Sequence, residues 1–257
     1  MTLIHPTAIV APDARLGEGV QVGAYAIIGE SCAVGPQSVI APRAILERNV
    51  TLGTNVRIGS GSIIGGDPQD LKYRGEHTTV EIGDNTTIRE YVTVNRGTTH
   101  SWKTTVGQNT FLMSYVHVAH DCQIGDGVIL ANAVQLAGHI VVEDRAIVSG
   151  LTAAHQFVRI GRFSFIGGCS RVAKDVPPFL KAVGNPLRLY GLNSVGLERN
   201  GIPEEVRREL KRAYRLFFRS ELNVSQARER AQAELELYPE VQHFLRFFDE
   251  SQRGVVL

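Results

Sequence analysis

Aliphatic residues recur at every sixth position of this chain, and that period constrains its fold more than any other feature. They stand at Val10, Leu16, Val22, Ile28, Val34, Ile40, Leu46, Leu52, Ile58 and Ile64 without a gap. The pattern resumes at Ile82, Ile88 and Val94, then runs from Val106 to Val172. The residue after each aliphatic is usually small, as at Gly17, Gly23, Gly29 and Gly35. Two positions before it stands another small or β-branched residue, such as Ala8, Ala14 or Val20. An α-helix cannot use this period, because about 3.6 residues per turn would smear the positions around its circumference. Short strands can: alternate side chains point inward, the small residue allows a tight corner, and the next strand begins. Three such strands close one triangular coil, and stacked coils bury a continuous core. A β-sandwich would instead show variable spacings of roughly 8–12 residues. The expected class is an all-β solenoid, a parallel β-helix of hexapeptide repeats.

Two polar, charged segments break the repeat: 66–79, reading GDPQDLKYRGEHTT, and 97–105, reading GTTHSWKTT. Both are expected to leave the coil as surface loops, where binding residues concentrate. Past Val172 the repeats stop at Asp175-Val176-Pro177-Pro178, and from Gly201 the chain turns rich in Glu, Arg, Ala and Leu. Pro203 followed by Glu204 and Glu205 marks a helix start, with Val206, Leu210, Tyr214 and Phe217 along one face. A second helix fits Ser225 to Leu237, and Pro239 with Glu240 opens a third. The expected organisation is a β-helix over residues 1–185 carrying both loops, then a small C-terminal α-helical domain over 186–257. That domain would also cap the open end of the solenoid.

Lys and Arg (27) nearly balance Asp and Glu (26), which argues against a nucleic-acid-coating surface. The opening MTLIHPTAIV lacks a basic segment followed by a long apolar run, so no signal peptide is expected. No window approaches the roughly 18 apolar residues of a membrane span. The three cysteines, Cys32, Cys122 and Cys169, have no metal-like spacing. A reducing, cytoplasmic setting is expected.

Four of the eight histidines, His117, His120, His139 and His155, fall within the second run of repeats. With eighteen residues per coil, Val118, Leu136, Ala154 and Val172 stack above one another. His120 lies two residues after Val118, His139 three after Leu136 and His155 one after Ala154. Histidines from successive coils are therefore expected near one corner of the prism, with His117 flanking them. A lone histidine on a strand is usually a hydrogen-bonded structural residue, whereas a column of them suits proton transfer near neutral pH. Asp121 follows His120 directly and could orient an imidazole as a carboxylate does in a triad. It could equally serve the turn or a neighbouring subunit, since adjacent strand residues point to opposite faces.

The segments GDPQDLKYRGE, IRE with VNRGT, HVAHDC, LAGH, HQF, GGCS and KDVPP resemble those of the UDP-N-acetylglucosamine O-acyltransferase family, over nearly the whole chain. The resemblance implies a left-handed parallel β-helix, a cytoplasmic homotrimer, and the reaction that opens lipid A synthesis. In that reaction a 3-hydroxyacyl group passes from acyl carrier protein to the 3-hydroxyl of UDP-N-acetylglucosamine, with no cofactor and no metal. By motif, His120 corresponds to the general base, Asp121 to its support, and the Gly138 N–H to an oxyanion donor. His117, His139 and Gln156 would line the sugar and acyl sites. Asp70 and Lys72 would reach the sugar nucleotide across a subunit boundary, and His155 would sit where the nucleotide is held. Asn193 and Arg199 correspond to residues contacting the UDP portion, with Arg199 suited to a phosphate oxygen. The sequence departs from the pattern at Val195, where the family often has glutamate, and at Asn200, where a second arginine is common. Nucleotide contacts there are expected to differ. Gly168 in GGCS matches the position that sets acyl-chain length. A glycine leaves the groove open and implies a chain of about 12 to 16 carbons, each buried methylene contributing about 0.8 kcal/mol. Arg159, Arg162, Arg171 and Lys174, at outward phases of the last coils, are candidates for a basic strip facing the acidic carrier protein.

Three other readings stay open. The same transferase acting on a 3-amino UDP-sugar would make an amide. A zinc-dependent hydratase of the gamma carbonic anhydrase type would need three or four ligands converging tetrahedrally and no carrier protein. A non-catalytic β-helical scaffold would tolerate replacement of His120.

Overall fold

The computed structural model describes residues 1–256. Within them, two-residue strands such as Ile27–Ile28, Ala33–Val34 and Val39–Ile40 each form one side of a triangular coil. Each pairs in parallel with a strand one coil away, Ile27 with Ile45 and Ile28 with Leu46. The stack makes three sheets of eleven, nine and eight strands along a left-handed parallel β-helix. The hexapeptide aliphatics point into the prism, and Ile28, Ile40, Leu46 and Ile64 are completely buried. Burying one such side chain contributes about 1.5–3 kcal/mol, and the gain repeats coil after coil.

The small residue after each aliphatic acts differently from expectation. The left-handed turn conformation falls two positions later, on Tyr25, Ser31, Gln37, Arg43 and their successors. What excludes a side chain after the aliphatic is the neighbouring coil. A Cβ on Gly29 would lie 1.6 Å from the Glu47 carbonyl oxygen, and one on Gly35 2.3 Å from that of Gly53. Crowding between stacked corners selects glycine there, rather than a positive φ.

Both loops leave at the same corner. Each follows a strand of the nine-stranded sheet, Ile63–Gly66 or Thr93–Asn95, and returns on a strand of the eight-stranded sheet, Thr79–Ile82 or Lys103–Val106. Across them Ile64 pairs with Val94 and Val94 with Val118, so the loops lengthen their coils without disturbing the stack.

The two ends differ. In the first coil Leu3, Ile4 and Ile9 are 57%, 48% and 64% exposed. At the other end a hairpin of Leu180–Val183 and Arg188–Leu192 joins the eleven-stranded sheet. Four helices follow: α1 (Ser194–Arg199), α2 (Glu204–Phe218), α3 (Val224–Glu234) and α4 (Pro239–Glu250). Phe217 of α2 meets Phe244 of α4 edge-on at 5.4 Å, closing a small aromatic core. His243 Nε2 of α4 lies 2.7 Å from Glu143 Oε2, and Arg159 pairs with Glu143 and Glu250 across the Phe247 ring. These contacts fasten the helices to the flank of the solenoid.

The helices expected after Pro203 and from Pro239 both occur. The middle one starts at Val224, because Asn223 and Gln226 form a reciprocal capping box, and it ends at Glu234, short of Leu237. The hairpin and α1 lie outside the expected elements, and residue 185 falls in the turn between the hairpin strands. A six-residue helix containing Gly196 is too short for its periodicity to show.

Candidate active site

The site occupies the corner that follows strands His117–Val118, Gln135–Leu136 and Ala153–Ala154. Each strand leads into a three-residue turn whose last residue is left-handed: Asp121 (φ 60°), His139 (φ 63°) and Phe157 (φ 65°). The turns stack in register, His139 N–H donating to the His120 carbonyl at 3.0 Å and Phe157 N–H to that of Gly138 at 3.2 Å. That register sets His120 against Gly138 and gathers Asp121, His139 and Phe157 in a second column.

Space requires the glycine at 138. A Cβ there would lie 2.5 Å from Cε1 and 2.7 Å from Nε2 of His120. The flanking N–H groups of Ala137 and His139 donate to Ala154 and His120 carbonyls, while that of Gly138 has no acceptor among the described residues. The imidazole therefore packs against the Cβ side of Gly138, a residue whose own N–H is left without a partner among the described residues.

Asp121 is held on all sides. Its buried carboxylate accepts from Thr98 N–H (2.9 Å), Thr98 Oγ1 (2.7 Å), Ser101 N–H (3.1 Å), Ser101 Oγ (2.5 Å) and His120 Nδ1 (2.8 Å). Burial alone would raise its pKa, but the bonds from His120, Ser101 and Thr98 outweigh burial and hold it well below the usual carboxylate range. An ionised carboxylate only accepts, so His120 Nδ1 carries a proton, and in the neutral ring Nε2 is the nitrogen with the lone pair. Thr98 and Ser101 belong to the second loop. Nothing in GTTHSWKTT marks which of its hydroxyls turn back toward the coil.

His139 stacks flat on Phe157 with ring centres 4.3 Å apart, and meets both His120 (4.9 Å) and His100 (4.6 Å) edge-on. Its Nδ1 lies 3.6 Å from Asp121 Oδ2, beyond hydrogen-bond distance. Burial, reinforced by His120 and His100, lowers its pKa against the attraction of Asp121 and Asp70. His117, whose Nδ1 lies 2.7 Å from Thr93 Oγ1, is lowered by burial and by His120.

These shifts share one sign. Asp121, His117 and His139 each bind protons less readily folded than unfolded, so unfolding takes up protons and stability falls as the pH falls. The histidine contribution is whole above their unfolded pKa of about 6.5, and is lost as pH falls through their folded values. The Asp121 contribution is whole above about 4 and is lost at more acid pH still. Urea midpoints should therefore hold steady above about pH 6.5, decline as the pH falls below it, and decline further below about 4. A midpoint that rises on acidification from pH 8 to 5 would contradict histidines held neutral by burial.

The structure thus brings together His120, Asp121, Gly138 and His139, with His117 alongside. His155 stands on the same corner but outside the cluster, its Nδ1 3.2 Å from the Gln156 carbonyl oxygen and 2.9 Å from Arg253 Nη2. The ring that covers His139 is Phe157, which shares its turn position, so the histidines in mutual contact are His100, His139 and His120. Lys72, Gln156 and Arg199 are exposed. Asp70 Oδ1 accepts from Lys72 N–H at 2.8 Å, a tight turn that leaves Leu71 97% exposed. Asn193 is buried, caps α1 by accepting from Gly196 N–H and donates to the Phe163 carbonyl at 3.0 Å. Both ends of its amide are engaged within the chain. Gly168 is exposed, and a Cβ there would find only the Gly150 oxygen at 3.2 Å and Ser149 Cβ at 3.9 Å. Of the expected basic strip, Arg159 is drawn into ion pairs, while Arg171 and Lys174 line a cavity of about 330 Å³ with Asn185, Leu187 and Val256.

A cleft of about 380 Å³ opens beside the dyad, lined by His100, Ser101, Asp121, His139 and Phe157 with residues of the helical end; His120 and Gly138 do not border it. His120, Asp121 and His139 offer three ligand atoms within 4.8 Å of one another, the count a catalytic zinc requires. Asp121 suits that role poorly. Its oxygens already accept five hydrogen bonds, and a metal would displace those that hold the second loop.

Fold and site together define a hexapeptide-repeat acyltransferase. Residues 103–138 match the bacterial transferase hexapeptide family, and residues 175–256 match the second domain of UDP N-acetylglucosamine O-acyltransferase. The acyl-[acyl-carrier-protein]–UDP-N-acetylglucosamine O-acyltransferase of Alkalilimnicola ehrlichii is 53% identical over 257 residues, 100% of each chain. The UDP-N-acetylglucosamine acyltransferase of Bacteroides fragilis superposes with a TM-score of 0.98 at 39% identity, covering 99% of this chain and 100% of that one. The Arabidopsis enzyme superposes with a TM-score of 0.88 at 36% identity, again over 99% and 100%. The chain belongs to the UDP-N-acetylglucosamine O-acyltransferase family.

Proposed function

We propose that this chain moves a 3-hydroxyacyl group from acyl carrier protein to the 3-hydroxyl of UDP-N-acetylglucosamine, opening lipid A synthesis, with His120 as general base. One observation carries the reading. A buried carboxylate holds one imidazole nitrogen protonated, while the other nitrogen stands free beside Gly138, whose backbone N–H has no acceptor among the described residues. His120 Nε2 takes the sugar hydroxyl proton as that oxygen attacks the thioester carbonyl. Negative charge forming on the carbonyl oxygen is stabilised by the Gly138 N–H. Collapse of the intermediate expels the carrier-protein thiolate, which recovers the proton from His120. No step requires a metal or a cofactor, in keeping with an Asp121 carboxylate already saturated.

Asp70 and Lys72 bind the sugar nucleotide in this reading, and His117, His139 and Gln156 line the sugar and acyl sites. His155 and Arg199 face the nucleotide, Arg199 toward a phosphate oxygen. Asn193 contributes by capping α1, the helix that ends on Arg199. The site is completed by a neighbouring subunit of a homotrimer. Two facts support this: the cleft beside Asp121 and His139 does not reach His120, and Leu71 projects bare from the first loop. A third is the edge that follows the eleven-stranded sheet, where Tyr25, Tyr91, Tyr115 and Leu151 are all exposed, an apolar column suited to self-association. No helix among the described residues is long and apolar enough to cross a membrane, and a cytoplasmic setting belongs to the proposal.

Carrier proteins bearing 3-hydroxyacyl chains of graded length provide the test, in chelator-treated buffer, with UDP-N-acetylglucosamine and its 3-amino analogue as acceptors. Transfer to the hydroxyl without metal is expected, best at about 12 carbons or longer because Gly168 leaves the groove open. Optimal transfer from a 10-carbon donor would refute the open groove. Product from the amino analogue alone would replace the ester with an amide, and activity appearing only on addition of zinc would sink the proposal.

A further inference from the structure

Arg96, in VNRGT at the root of the second loop, is completely buried although a guanidinium always carries its charge. A buried cation is costly unless its donors are matched. Both terminal nitrogens of Arg96 are matched while its Nε has no partner among the described residues, and every hydrogen bond that Arg96 makes ends on the first loop or its root. Its backbone N–H donates to the Gly66 carbonyl at 2.9 Å. One terminal nitrogen donates to the Gly65 carbonyl; the other donates to the Asp67 carboxylate and, at 3.0 Å, to the Tyr73 hydroxyl. Asp67 is gripped from outside by Arg48 at 3.0 Å, and the Tyr73 hydroxyl in turn donates to the Glu76 carbonyl at 3.2 Å. Asp67 and Tyr73 flank the segment that carries Asp70 and Lys72. Both ends of that segment are thus pinned to one side chain, while its tip is held by the local turn of Asp70 on Lys72.

We infer that Arg96 is a positioning residue for sugar-nucleotide binding, fixing the Asp67–Tyr73 segment so that Asp70 and Lys72 meet the substrate. The inference rests on the proposed role of that loop. Arg96 also stands two residues before Thr98 and five before Ser101, the residues that hold Asp121. A single stretch, 96–101, therefore anchors the substrate loop at one end and the catalytic carboxylate at the other. Loosening the first end leaves the bonds at the second in place.

Steady-state kinetics of the full-length protein test this with Arg96→Lys, which keeps the charge but loses the fork, Tyr73→Phe, which deletes one bond, and Lys72→Ala. KM for UDP-N-acetylglucosamine should rise about tenfold in Arg96→Lys and about threefold in Tyr73→Phe, as loss of charge-assisted bonds to a loop predicts. KM for the acyl donor and the pH profile of kcat should stay as in the wild type, and trypsin should cut faster at Lys72 or Arg74. Should Arg96→Lys fail to fold, Tyr73→Phe decides alone. A sugar-nucleotide KM unchanged in Tyr73→Phe while Lys72→Ala raises it overturns the inference but leaves the loop its substrate role. A KM indifferent to Lys72→Ala removes that role, and the inference with it.

Discussion

His120→Ala should fold as the wild type does and lose about 10²–10⁴-fold in kcat, the range a positioned general base supplies. The fold should survive because Asp121 keeps its four bonds to Thr98 and Ser101 after the imidazole is gone, so no buried carboxylate is stranded. KM for the sugar nucleotide should change little, since its proposed contacts on the first loop, on α1 and at His117, His139, His155 and Gln156 are all left in place. Single-turnover transfer at saturating substrates, paired with a melting curve, makes the measurement. A variant that keeps more than about a tenth of the wild-type kcat would take the base role away from His120.

Gly138→Ala is expected to do nearly as much harm by a different route. The backbone accepts alanine, since φ at this position lies outside the left-handed region, so the cost is steric. A methyl group 2.5 Å from Cε1 and 2.7 Å from Nε2 forces the imidazole to swing. The ring must then leave either its Asp121 bond or the line along which it meets the acceptor hydroxyl. Displacement on the order of 1 Å costs about 10²-fold in rate, and the added methyl also screens the N–H offered to the oxyanion. kcat should therefore fall by about 10² or more while the melting temperature moves by only a few degrees. Near-normal kcat in Gly138→Ala would show that the catalytic imidazole does not lie against this glycine during turnover.

The triangular coil is legible in the sequence because the six-residue period ties each aliphatic to an inward position, as complete burial of Ile28, Ile40 and Leu46 bears out. The stacking order across the loops is not. Counting by eighteen sets Ile82 over Ile64, whereas Val94 pairs there, since each loop consumes repeat slots without shifting the phase. The corner glycines carry a second lesson: they read as turn formers, and the structure makes them spacers between coils. In the site, His120 and His139 are readable because regular turns convert phase directly into neighbourhood, Asp121 is readable from its place beside His120, and Gly138 enters only through the family resemblance. His155 differs from Phe157 by two turn positions, which is enough to take it out of the ring stack. Thr98, His100 and Ser101 escape sequence reasoning because an aperiodic loop has no phase to count.

The unequal ends of the solenoid bear on how the site keeps its shape. In a stack where each coil touches only its neighbours, opening costs least at a coil with one neighbour instead of two. The bare first coil, with Leu3, Ile4 and Ile9 half in solvent, is that place, whereas the last coils lie beneath the hairpin and helices. Thermal breathing therefore enters from the amino end and advances as a front along the axis. It must cross the coils between Val22 and Val94 before reaching the turns that hold His120 and Gly138. Distance along the stack works as a damper, and the catalytic corner sits on its quiet side.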